Sequence, residues 1–135
     1  RFCQVTGVQT CALPISAGTS YTVRLSRLLH NLGMGRADGT CKKQLEKLSR
    51  TELLIIDDWG MCPLTEMAKR DILEIMEDRH NVRSTIISTQ YPVSEWHRLI
   101  DHPTLADAIC DRLVRNAYQL TINGESMRKV MAEMD

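Results

Sequence analysis

The chain has 135 residues, of which 43% are hydrophobic and 25% charged, and its 17 basic residues balance 17 acidic ones. That composition is ordinary for a soluble globular protein, and no apolar stretch approaches the roughly 18 residues of a membrane span. The five cysteines, Cys3, Cys11, Cys41, Cys62 and Cys110, show no CxxC spacing, which fits reduced thiols in a cytoplasm better than a disulfide framework.

Residues 5–15, VTGVQTCALPI, read as the translation of a common sequencing-library adapter. They are too short an apolar run, and too early broken by Pro14, for a secretory signal. Residues 1–16 are therefore expected to be non-native sequence that packs against nothing. Residues 17–135 are expected to form one domain, the C-terminal part of a larger one.

Charge is uneven along that domain. Between Arg24 and Arg50 lie seven basic residues (Arg24, Arg27, Arg36, Lys42, Lys43, Lys47, Arg50) and two acids, Asp38 and Glu46. From Thr51 onward nine basic residues face fifteen acidic ones. A basic front half permits contact with a phosphate backbone; a solvated helix face is the plain alternative.

The pattern predicts a short strand over 21–25, then a helix capped by Ser26 that carries Leu28, Leu29 and Leu32 and ends among three glycines at 33–39. Thr40 is expected to cap a second helix over 41–48. Leu53, Leu54, Ile55 and Ile56 then form an unbroken aliphatic run, which suits a strand buried on both faces of a parallel sheet. It runs straight into Asp57 and Asp58. Two adjacent carboxylates at the carboxyl end of such a strand are costly to desolvate unless a hard cation neutralises them. A Mg²⁺ held there, its shell completed by substrate phosphates, is the Walker B arrangement of nucleoside-triphosphate hydrolases.

Beyond a turn with Pro63, Thr65 opens a long helix to about His80 with the stripe Ala68, Ile72, Ile75 and Met76. STIIS at 84–88 reads as a buried strand. Pro92 starts a short helix, Pro103 starts another that runs to about Asn116, and 118–122 is a last strand. Strands separated by helices indicate an α/β fold with a parallel sheet. The histidines offer no metal spacing: His97 and His102 are five apart with Pro103 following, which does not place them on one helical face.

LLIIDDWGMCPL, STIISTQYPVSEWH and DHPTLADAICDRLVRNAYQLTINGESMRK, in that order and spacing, together resemble the IstB-like family of AAA+ ATPases. These are helper proteins of bacterial insertion sequences, related to DnaC-type helicase loaders. The resemblance covers about 21–129. It implies a three-layer P-loop NTPase fold, ATP and Mg²⁺ as cofactors, DNA and a transposase as partners, and homo-oligomers of the intact protein. Residue by residue, it places Mg²⁺ on Asp57 and the water-polarising base at Asp58, where AAA+ proteins more often carry glutamate. Gln90, or else Thr89, matches the γ-phosphate sensor, Arg112 the arginine finger, and Arg128 a further nucleotide contact. DNA would meet Arg24, Arg27, Lys42, Lys43 and Lys47.

Arg112 also stands out on its own helix. Arg115 has Asp111 four residues before it, whereas Arg112 has only Ala108 and Ile109 behind and no acid ahead, so its anion is expected elsewhere.

No G-x-x-x-x-G-K-[ST] phosphate cradle occurs anywhere in the chain. In the family it lies upstream of Tyr21, so the sheet is expected to lack its P-loop strand and the chain by itself to be inactive. The expected function is thus that of a fragment of a transposition-helper ATPase. A DnaC-type helicase loader and a non-catalytic nucleic-acid-binding module using 24–50 are the alternatives. A phosphoacceptor receiver domain is disfavoured, because the strand at 84–88 leads into Thr89 and Gln90 and not into an aspartate.

Overall fold

The computed structural model describes residues 2–6, 19–115, 117–124 and 127–134, with the side chains of 2–6, Met127 and Arg128 left outside that description. Five parallel strands form one sheet: β1 (Phe2–Thr6), β2 (Ser20–Arg24), β3 (Leu53–Trp59), β4 (Ser84–Thr89) and β5 (Ala117–Thr121). Their order across the sheet is β2-β3-β4-β1-β5.

The expectation that residues 1–16 stand apart and leave a gap in the sheet is corrected for β1. Phe2 pairs with Thr85 of β4 and with Ala117 of β5, and the register continues to Thr6 between Thr89 and Thr121. The physical reason is ladder satisfaction. Without a strand between them, β4 and β5 would each present a row of unpaired backbone groups, and a five-residue segment of strand-forming type completes both rows.

The helices α1 (Leu25–Asp38), α2 (Cys41–Arg50), α3 (Glu66–Arg79), α4 (Trp96–Ile100) and α5 (Pro103–Val114) supply one core with the sheet, and α6 (Met127–Met134) follows β5. Val23, Ile56 and Ile87 are register partners on neighbouring strands. They are buried in a cluster with Leu28 and Leu32 of α1, Leu48 of α2, Ile72 and Met76 of α3, and Ile109 of α5. Ile55, on the opposite pleat, is also buried yet lies outside that cluster, so β3 is covered on both faces as a layered α/β fold requires. Cover thins towards β5. In the row Ile55–Ile86–Cys3–Tyr118, Ile55 is 2% exposed and Tyr118 62%.

Local signals held in part. Thr65 caps α3, its hydroxyl accepting from the Ala68 N–H at 3.1 Å, and Pro103 opens α5. Ser26 does not cap α1: the helix begins one residue earlier, with Arg24 in the cap position and no side-chain cap bond. Thr40 flanks α2 but donates its hydroxyl to Asp38 Oδ1 at 2.6 Å instead of capping. α1 runs through two of the glycines and stops at the third, Gly39, at φ 83°, a left-handed C-cap that costs glycine nothing. Within α1, Gly35 is a glycine where α2 leaves no room for a side chain: a Cβ would lie 2.9 Å from the Cys41 nitrogen.

Candidate functional site

The acids emerge where the sheet loses its regular register. β3 and β4 pair evenly to Ile56–Ile87, then shift so that Trp59 meets Thr89. Asp58 sits in that irregularity at φ 57°, a conformation that aspartate tolerates better than most residues. Asp57 and Asp58 are both half-buried. Asp57 Oδ1 accepts the Asp58 backbone N–H at 3.0 Å, which leaves its second oxygen for another partner.

The neighbouring strand end is stitched to this one. Thr89, 2% exposed, donates its hydroxyl to the Trp59 carbonyl at 2.8 Å and accepts the Tyr91 N–H at 3.1 Å. That hydroxyl is thus committed to holding β3 against β4, while Gln90, the next residue, is exposed. Gly60, at φ 86°, lets the turn after β3 pass under Tyr91, whose ring would be 2.8 Å from an added Cβ. Trp59 packs on Trp96 with ring centroids 5.2 Å apart. Asp57, Asp58, Thr89 and Gln90 therefore come together at the carboxyl edge of the sheet, where ligands of parallel sheets gather. Asp57 fits a Mg²⁺ ion; no part of the sequence fits the phosphate cradle.

Arg24 ends β2 opposite Asp57 in register, and its Nε lies 3.6 Å from Asp58 Oδ2. Sequence reasoning assigned Arg24 to DNA and missed this pairing, because strand register is not legible in a five-residue strand. Arg27, Lys42, Lys43 and Lys47 are exposed on α1 and α2, and the Lys47 ammonium lies over the Tyr21 ring at 5.8 Å. Arg36, counted in the same basic stretch, is instead paired with the buried Asp71 on α3.

The anion that Arg112 lacks on its own helix is supplied from α3. Arg112 Nη2 is 2.9 Å from Glu77 Oε1 on α3, and Nη1 donates to the Ala108 carbonyl at 3.0 Å. Helix periodicity along α5 could exclude a partner on α5 but not one on a helix packed against it. The Arg115–Asp111 pair does form, at 3.5 Å. Arg128 lies on α6, but its side chain is outside the described residues.

Sequence reasoning also missed Arg79, 2% exposed. Its guanidinium donates to the carbonyls of Leu48, Thr51 and Ser84 at 2.5–2.6 Å and to Thr85 Oγ1 at 3.0 Å. Burial, then the nearby charge of Arg83, holds its pKa down at about 10.

The model of the family described as IstB-like ATP binding protein matches residues 6–133. The chain belongs to that family. It is 52% identical over 106 residues to an insertion-sequence ATP-binding protein of Sinorhizobium fredii, y4pL, covering 78% of this chain and 43% of that one. The IstB-like chain thus spans less than half the length of that relative. Its fold is that of AAA+ P-loop NTPase domains. It superposes on the DnaC helicase loader with TM-score 0.65 at 19% identity, covering 90% of this chain and 77% of that one. On the replication initiator DnaA bound to AMPPCP and single-stranded DNA the TM-score is 0.66 at 11% identity, with 87% and 36% covered. No helix among the described residues is long and apolar enough to cross a membrane.

Proposed function

We propose that this chain carries the magnesium-binding and γ-phosphate-sensing half of an AAA+ ATPase that assists DNA transposition. In that role the protein assembles on DNA and recruits or activates a transposase. The observation that carries the reading is the pair Asp57–Asp58 at the carboxyl end of β3, beside the end of β4, in a chain whose relatives are insertion-sequence ATP-binding proteins. Asp57 holds Mg²⁺ through the oxygen that Asp58 N–H leaves free. Asp58 polarises the attacking water. Gln90, exposed where Thr89 is not, is the better γ-phosphate sensor of the two. When bound there, Mg²⁺ would neutralise phosphate charge.

Arg112 serves a neighbouring copy, and Glu77 holds its guanidinium until that copy arrives. Arg128 approaches nucleotide from α6. Arg27, Lys42, Lys43 and Lys47, joined by Arg24, form the DNA-facing surface. A DnaC-type loader remains the second reading on fold alone, and the 52% identity to an insertion-sequence protein favours transposition.

Residues 1–16 keep their reading as adapter-derived sequence, since a five-residue segment can fill a strand's place whatever its origin; resequencing the native locus tests this. The functional test is a chimaera in which residues 1–18 are replaced by a segment bearing a G-x-x-x-x-G-K-[ST] phosphate cradle. It should hydrolyse ATP in the presence of Mg²⁺ and DNA and lose that activity with Asp57→Ala. Undiminished hydrolysis in the Asp57→Ala chimaera sinks the assignment. DNA retention indifferent to nucleotide and Mg²⁺ would instead support the non-catalytic binding module.

A further inference from the structure

The joint between β5 and α6, away from the strand ends of the candidate site, holds a chemically reactive pair. β5 ends at Thr121 and α6 begins at Met127, and Asn123–Gly124 lies between them, a dipeptide of turn type. Both residues are exposed. Gly124 has φ 151° and nothing within 4 Å of the place that a Cβ would take, so its backbone is open to close approach. Among the described residues nothing accepts the Gly124 N–H in a hydrogen bond.

An asparagine amide next to such a glycine is an electrophile beside a nucleophile. The Gly124 nitrogen, on losing its proton to hydroxide, can attack Asn123 Cγ. The N–Cγ bond forms, the Cγ–Nδ2 bond breaks, and ammonia leaves with a proton from solvent. The product is a cyclic imide, which water opens at either carbonyl. One opening gives aspartate. The other gives isoaspartate, whose main chain runs through the side-chain carbon.

The fold withholds this reaction from other candidates. Asn31 lies within α1, where the next N–H is held by the helical ladder. Asn81 precedes Val82, which is β-branched and donates its N–H to the Arg79 carbonyl at 3.1 Å. Asn116 is outside the described residues. Asp38–Gly39 could cyclise in the same way through a neutral acid. Asp38 Oδ1, however, accepts the Thr40 N–H at 2.9 Å and its hydroxyl at 2.6 Å. The hydroxyl bond first, then the N–H, keeps that carboxyl ionised below its ordinary range.

We propose that Asn123–Gly124 is a self-modification site, where cyclisation and hydrolysis convert the joint between β5 and α6 to aspartyl and isoaspartyl forms. Conversion adds one negative charge at neutral pH. Isoaspartate also inserts a carbon into the main chain. The helix that carries Arg128 and Lys129 is thereby re-aimed as the chain ages.

The test is incubation of the full folded chain at mildly alkaline pH, followed by ammonia release, isoaspartyl methyltransferase labelling and tandem mass spectrometry. Conversion is expected first at Asn123, as fast in the folded chain as in urea, with Asn31 and Asn81 intact in the folded chain. Isoaspartate at Asp38 is expected only after urea has unfolded the chain. Asn123→Gln, at an exposed position, should abolish the early ammonia release and leave the circular dichroism unchanged, because the longer side chain closes its ring far more slowly. An Asn123 that converts in urea but stays intact in the folded chain overturns the proposal. So does earlier conversion of another asparagine, early release that survives Asn123→Gln, or labelling at Asp38 in the folded chain as strong as at Asn123.

Discussion

Arg24 Nε lies 3.6 Å from Asp58 Oδ2, which ties the first residue of the basic stretch to the second acid at the carboxyl end of β3. The side chains are 69% and 40% exposed, so the pair adds about 0–1 kcal/mol to stability. Its consequence lies in availability: an arginine leaning on a carboxylate is less free to meet a phosphate. Asp58→Asn should therefore tighten DNA retention at low salt, by up to about fivefold on that energy, with Tm almost unchanged. Mobility-shift titration checks this, and equal retention by Asp58→Asn and the parent chain would refute it.

The lysines of α2 give a sharper electrostatic expectation. Lys42, Lys43 and Lys47 are all exposed, and a lysine that meets a phosphate contributes about 0.9 to the slope of log affinity against log salt. Replacing all three by glutamine should flatten that slope by about 2 to 3 and weaken binding to unrelated sequences alike. A slope that does not change would mean that the charges are merely solvated.

Arg79 makes a prediction about folding. Its guanidinium is the shared donor for the end of α2, the turn before β3 and the first residues of β4. Arg79→Met keeps the volume of the stem and strands those acceptors in the core. At about 1 to 3 kcal/mol for each unpaired buried group, partly relieved by water, the loss should reach about 3 kcal/mol or more. Whole-domain stability is about 5 to 15 kcal/mol, so urea unfolding should show it plainly. A midpoint within error of the parent would mean that water replaces the guanidinium at no cost.

How much of this was legible beforehand depends on the range of each interaction. Leu53 to Ile56, the stripe on α3 and Pro103 act within a few residues, and each marked its element. Asp57 and Asp58 were legible as a pair at a strand's carboxyl end because the aliphatic run before them marks where β3 emerges. Arg79, Glu77 and Asp71 were not, since each meets a partner 31 to 35 residues away in sequence. Sequence spacing sees i,i+4 pairs such as Asp111–Arg115 and is blind to helix-on-helix pairs such as Glu77–Arg112. β1 was missed for a related reason: its place is fixed by the open ladders of β4 and β5, not by its own five residues.

Cys110 gives a pH dependence whose sign follows from its surroundings. Burial first, and Asp107 second, raise the thiol from 9.0 to about 11, so the folded chain holds this proton longer than the unfolded chain does. The resulting stability is complete below about pH 9 and drains away as pH climbs through about 11. Native alkylation by iodoacetamide at pH 8 should accordingly lag far behind alkylation of the unfolded chain at this residue, and Asp107→Asn should narrow the gap. Equal rates at Cys110 in the native and unfolded chains, resolved by mass spectrometry, would contradict the shift.

Nucleotide binding and folding separate in the last prediction. With β1 completing the ladders of β4 and β5, the backbone pairing needed for cooperative unfolding is in place. The phosphate cradle is another matter, because the sequence holds no G-x-x-x-x-G-K-[ST] segment. On the proposed function Asp57 would meet ATP only through Mg²⁺, and a single carboxylate would leave most of the ion's water shell in place. Trp59 is a built-in reporter: it is 1% exposed, follows Asp58 directly, and packs on Trp96. Titrating the full chain with Mg-ATP should give no saturable change in tryptophan emission in the micromolar range, while urea still gives one cooperative transition. Micromolar affinity lost on Asp57→Ala would show that the magnesium half of the site suffices without a cradle, and the prediction would fail.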